Sequence, residues 1–158
     1  MTMDGGKRPL GATALSALLM VFGIMGVLSG LALMISPSGA LLGLPTEYLD
    51  RIPFHNYFLV GLFLFVIYGI TPIALSYGLW TREQLFLGEI SKAGGIHWAW
   101  QGTLVMLGIL LVWLLVEHFI YDIELSPPTY FTVVLGVLMF ILLMLPSVRR
   151  YCRSRTPA

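Results

Sequence analysis

Charge is the first thing this chain is short of. Lys and Arg number 9 and Asp and Glu 8 in 158 residues, so charged residues make up 11%, against ~25% in an ordinary soluble domain. Hydrophobic residues make up 58%. That balance excludes a water-soluble globular domain. A net charge of +1 provides no basic face for nucleic acid, so no nucleic-acid partner is expected. The single cysteine, Cys152, excludes an intramolecular disulfide, a CxxC redox pair and a Cys-rich zinc site. A P-loop, a G-x-S-x-G elbow, an HExxH helix and a dinucleotide fingerprint are all missing, and with them the usual signatures of nucleotide, hydrolase and metalloprotease chemistry. No internal repeat of the kind that builds transporters is visible either.

What the chain has instead is four long apolar runs, at residues 11–35, 54–80, 96–121 and 129–146. Each approaches or exceeds the length a helix needs to cross ~30 Å of hydrocarbon. The fold class follows: an all-α integral membrane protein, a four-transmembrane-helix bundle forming a single membrane domain over residues 1–158. The most conspicuous run is Ile96–Tyr121, which contains no Lys, Arg or Asp, and the other helices are expected to be organised around it. The basic start of the first run and the following Ser38-Gly39-Ala40 mimic a secretory signal. Its ~25 apolar residues are too many for a signal core of ~7–15, so a retained first span is expected.

Within that span Gly26 and Gly30 form a GxxxG, whose missing side chains let another backbone approach. The partner is either a neighbouring helix of the same chain or a second copy. In the second run, Thr71-Pro72 predicts a kink, because proline removes one amide donor and crowds the preceding turn. Tyr68 or Thr71 is placed to repair it. Between these spans, Ser36–Pro53 holds three prolines and two glycines. It is expected to lie along the membrane surface, with a short interfacial helix over Thr46–Arg51 capped by Thr46. Leu41, Leu42, Leu44, Tyr48, Leu49 and Ile52 should sink into the interface. Asp122–Pro128 reads as a tight turn and Ser147–Ala158 as a basic tail.

The basic residues orient the bundle. Lys7, Arg8, Arg82, Lys92, Arg149, Arg150, Arg153 and Arg155 fall in segments on one side, and Arg51 alone on the other. By the positive-inside rule both termini are expected in the cytoplasm of a plasma-membrane protein. The opposite side is acidic, with Glu47, Asp50, Asp122 and Glu124. Trp80, Trp98 and Trp100 are expected to form the aromatic belt at the cytoplasmic interface.

The nearest approach to a site lies at the outer end of the third run. Glu117 and His118 are ionisable groups within a turn or so of its last apolar residue, where a carboxylate is costly and commonly kept for a partner or a pathway. Trp113 precedes Glu117 by one turn and Leu110 continues the stripe. An aromatic ring beside a carboxylate in an apolar setting suits a cation or a lipid headgroup. His55, at the outer start of the second run, falls at a similar depth. The two histidines have no haem or metal spacing, so no cofactor and no metal site is expected. The ligand-binding candidates are thus Glu117, His118, Trp113 and His55. The expected function is a non-enzymatic accessory subunit or lipid- or apolar-ligand-binding component, working as a homo-oligomer or in a larger membrane complex. The alternative is a small oligomeric proton- or cation-coupled transporter using Glu117.

The pattern LLGLP…PFHNYFLVGLFLF…W…VE, which covers most of the chain, resembles small four-span membrane proteins of unknown function in bacteria and archaea. That resemblance implies the four-span fold and no activity. The small multidrug resistance proteins are similar in size and use a membrane glutamate, but in their first helix. Glu117 lies in the third, which departs from their pattern of drug–proton exchange.

Overall fold

The computed structural model describes residues 8–82, 96–119 and 127–153. Residues 1–7, including Lys7, residues 83–95, including Lys92, the acidic turn with Asp122 and Glu124, Tyr121 and Arg155 lie outside the described residues. Among those described, the chain is all-helical, with four helices long and apolar enough to cross a membrane. They are α1 (Leu10–Ile35), α2 (Phe58–Thr81), α3 (Trp98–Phe119) and α4 (Pro127–Met144). A short α5 (Pro146–Cys152) follows, with Pro146 at its first position, where a missing amide proton costs nothing.

Consecutive helices are neighbours, and α4 returns to pack on α1, so the four close into an up-down ring. The organising element is α1 rather than the 96–121 run, because α1 packs along the whole of α2 and also against α4 and α5. Its GxxxG is an intramolecular seam. A Cβ on Gly26 would overlap the Tyr68 carbonyl, and one on Gly30 would lie 2.7 Å from both the Gly61 carbonyl oxygen and Phe65 Cβ. Reciprocally, a Cβ on Gly69 would come within 2.9 Å of the Val27 amide nitrogen. Backbone thus meets backbone, which needs small residues on both helices.

The described arginines Arg8, Arg82, Arg149, Arg150 and Arg153 gather at one end of the ring, here the basic end. Arg51 lies at the other, the loop end. At the basic end the structure corrects the belt assigned to Trp98 and Trp100. Both are buried, and only Trp80 is half exposed, with the Arg8 guanidinium 4.1 Å above its ring. Trp98 fills the space left by Gly78, where any side chain would overlap it, and the Trp100 indole donates to the Leu143 carbonyl (3.0 Å). The basic tail beginning at Ser147 is instead α5, whose Val148 and Cys152 are buried. Val148 packs against Gly11 of α1. The His97 amide donates to the Cys152 carbonyl (2.7 Å), a bridge joins Ile96 to Arg153, and Arg82 donates to the Tyr151 carbonyl (2.8 Å). Burial pushes the Cys152 thiol up to about 11, against the opposing influence of Arg82.

At the loop end, residues 36–57 fold into three short 3-10 turns. The expected helix is present over Thr46–Asp50, but Pro45 occupies the capping position and no side chain caps it. Ile52 and Tyr57 pack with Leu33 into a small separate core joined by Leu44, Tyr48 and Leu49. Leu41 and Leu42 stay exposed. The second run becomes helical only at Phe58, because Phe54 and His55 take left-handed backbone angles (φ 66° and 50°) that no helix accommodates.

Candidate functional site

The loop half of the bundle is shaped by what happens before Pro72. Proline offers no amide proton to the Tyr68 carbonyl four residues back, and α2 widens into a π-helix over Leu64–Ile70. The Thr71 amide bonds the Val66 carbonyl five residues back, and the Thr71 hydroxyl donates to the same oxygen (2.9 Å). The Thr71 hydroxyl thus goes to Val66 and not to the Tyr68 carbonyl that Pro72 deprives of a donor, so the repair anticipated for Thr71 is not what it makes. The widened turn carries Tyr68 into the bundle, where its side chain is 3% exposed. Phe22 of α1 and Phe63 of α2 hold its ring edge-on, at 5.9 and 5.4 Å between centroids. Its hydroxyl finds no hydrogen-bond partner among the described residues.

Facing it is the stripe on α3. Leu110 is buried, and Trp113 and Glu117 are partly buried above it. Main-chain approach between α3 and α2 is concentrated on Thr71–Thr81. Toward the loop end side chains bridge the two helices, with the Phe63 and Trp113 rings 4.7 Å apart. Trp113 and Glu117 lie one turn apart on the same face of α3, and the Phe63 ring touches both Trp113 of that face and Tyr68.

The other two sequence candidates are placed elsewhere. His118 points outward and stacks edge-on against Phe119 (4.9 Å). His55 belongs to the surface turn, where its Nδ1 donates to the Leu49 carbonyl (3.1 Å) and lies 3.8 Å from Asp50 Oδ1. Among the described residues no three His, Cys, Asp or Glu side chains come together. Tyr68 is the residue that sequence reading placed in the wrong role, as a repair group for the kink. The signal that could have found it is the Pro72 spacing, which turns the preceding helix inward. A shallow groove lined by Pro37, Phe54, Asn56, Phe58 and Leu59 also opens at the loop end.

No family model, no curated protein and no solved structure matches the chain.

Proposed function

We propose that the chain is a multi-pass plasma-membrane protein with both termini in the cytoplasm, and that it serves as a non-enzymatic component holding a lipid or other apolar ligand beside Glu117 and Trp113. Membrane insertion is supported by the helix surfaces. Only 22% to 28% of the most apolar window of each long helix is buried, and side chains such as Leu28, Val105, Leu111 and Val134 stand more than half exposed. Such surfaces call for lipid around them. The gathering of arginines at one end supports the orientation.

The observation that carries the ligand reading is the contrast between a basic end filled by Trp98, Trp100 and α5 and a loop end where α2 and α3 meet through the Phe63 and Trp113 rings, one turn from Glu117. A filled end disfavours a pathway running through a single bundle, so a proton- or cation-coupled transporter would have to use a seam between copies.

Two measurements test this. An impermeant maleimide applied to intact cells should label Glu47→Cys and leave Ser147→Cys unlabelled until the membrane is opened, and the reverse pattern would overturn the orientation. Solvent extraction of protein purified in mild detergent should release a stoichiometric apolar species, strongly depleted in Trp113→Ala. Extracts that match bulk membrane lipid in both proteins would overturn the ligand reading.

A further inference from the structure

The structure assigns a second binding surface, at the basic end: we infer that Arg8, Arg82, Arg149, Arg150 and Arg153 receive the phosphate groups of anionic phospholipids. This needs the bundle to lie in a membrane and is independent of the ligand proposed beside Glu117. Three elements bring the arginines together. The Arg8 guanidinium, just before α1, lies 4.1 Å over the Trp80 ring near the end of α2. Arg82, two residues on, lies 4.5 Å over the Tyr151 ring of α5 and donates to the Tyr151 carbonyl (2.8 Å). Arg149, Arg150 and Arg153 flank that tyrosine in the chain, and Val148 of the same helix packs on Gly11, three residues after Arg8. The start of α1, the end of α2 and α5 therefore carry one connected group of cations.

These side chains are turned to something outside the bundle. All five are exposed, and among the described residues none is paired with a carboxylate. In the sequence, the segments on that side hold eight basic residues against Asp4, Glu83 and Glu89, so the charge gathers there although the whole chain carries only +1. Stacking on Trp80 and Tyr151 orders two of the guanidinium groups before anything binds, which lowers the entropy lost on binding. The described cations are all arginines, whose planar fork matches two oxygens of one phosphate.

The backbone at Arg82 agrees. It ends α2 in a left-handed conformation (φ 60°), its amide bonded to the Gly78 carbonyl (2.9 Å). Glycine is the usual resident of that position. An arginine kept there against its backbone preference argues for a task performed by its side chain.

The occupant follows from charge and depth. Tyr77 and Trp80, one turn apart and each about half exposed, mark where a headgroup layer meets α2, and Arg8 stands at that level. An anion met there, with a tail that continues along the exposed apolar face of α2, is a phospholipid. Each arginine near an anionic membrane surface is worth about fivefold in affinity.

The experiment measures thermal unfolding of the full chain in a non-ionic detergent titrated with dioleoylphosphatidylglycerol, dioleoylphosphatidylcholine, inorganic phosphate or decaglutamate. Phosphatidylglycerol should stabilise saturably, with half-saturation about a hundredfold below that of phosphatidylcholine, the product of about three such contacts. Raised salt should narrow that gap. The double variant Arg149→Gln, Arg150→Gln changes two exposed side chains without a partner among the described residues. Without lipid it should melt like the wild type, and its half-saturation for phosphatidylglycerol should rise about 25-fold. Arg82→Gly suits the left-handed turn and should raise half-saturation about fivefold.

Equal half-saturation for the two lipids, no saturable effect, or a preference unchanged in both variants overturns the site. Stabilisation by inorganic phosphate matching that by phosphatidylglycerol would mean a soluble anion, and stabilisation by decaglutamate alone an acidic protein segment; either overturns the lipid assignment. The melts do not depend on which face of the membrane the arginines occupy, so a reversed maleimide pattern would strike the orientation and leave this site standing.

Discussion

The two ends of this bundle are built on different principles. At the basic end, side chains and backbone interlock: Trp98 fills the place of a Gly78 side chain, Trp100 bonds the Leu143 carbonyl, and residues 96–97 join 152–153. At the loop end, the buried Tyr68 hydroxyl has no partner among the described residues, Phe54 is 72% exposed with a left-handed backbone, and the Glu117 side chain is partly buried. One end fills its space with buried indole rings. The other tolerates left-handed backbone at Phe54 and His55, the pattern expected where stability is given up for a task.

The comparison can be broken most forcefully with tryptophan. Trp98→Ala should cost about 3–5 kcal/mol, because it empties a buried site that the surrounding backbone cannot collapse to fill. Trp113→Ala, at a partly buried position, should cost no more than about 2 kcal/mol. Reversible unfolding in detergent reads both, and equal losses would erase the distinction between the ends.

A smaller effect concerns Cys152. Below 9.0 its thiol is protonated in folded and unfolded chains alike and contributes no pH dependence. Between 9.0 and about 11 the unfolded thiol ionises while the buried one keeps its proton, so stability should fall as pH rises through that window. The loss is on the order of 2–3 kcal/mol at ~1.4 kcal/mol per unit. Melts of Cys152→Ala should lack this component of the alkaline slope. An unchanged slope would mean that the basic end opens readily enough to expose the thiol.

The smallest effect is a gain. Phe54→Gly relieves a left-handed backbone at an exposed side chain and should stabilise the protein by roughly 1 kcal/mol. The same change should weaken association with lipid vesicles if Phe54 inserts among lipids. A net destabilisation would show that the Phe54 ring contributes packing and would bring the loop end closer in character to the basic end.

Much of this was legible in the chain because hydrophobic runs and arginine placement record how many long helices there are and which ends are alike. The Gly26–Gly30 seam was legible for a similar reason, since small residues act through local geometry. The stripe of Leu110, Trp113 and Glu117 follows from helical spacing alone. Trp98 and Trp100 were misread because an aromatic near the end of an apolar run looks the same whether lipid or protein covers it. What meets them is Gly78 of α2 and the Leu143 carbonyl of α4, and α5 was itself hidden. Arg149 and Arg150 give the segment a polar look, and Pro146 reads as a stop when it is a start. Only with α5 folded do Val148, Tyr151 and Cys152, spaced three and four apart, become a packing face. The left-handed pair Phe54 and His55 had no glycine or asparagine to announce it.

The latch between residues 96–97 and 152–153 also sets an order of events. The α1–α2 hairpin, held by glycines close in sequence, can pair as soon as its second helix leaves the ribosome. The basic end cannot, because α5 follows all four long helices and is made after them. Until it arrives, Gly11 lacks the cover of Val148 and the His97 amide its Cys152 acceptor, so an immature chain carries an open face at the basic end. That face is a natural mark for quality control: a chain stalled or cleaved before Pro146 would carry four helices and still display the signature of an unfinished protein.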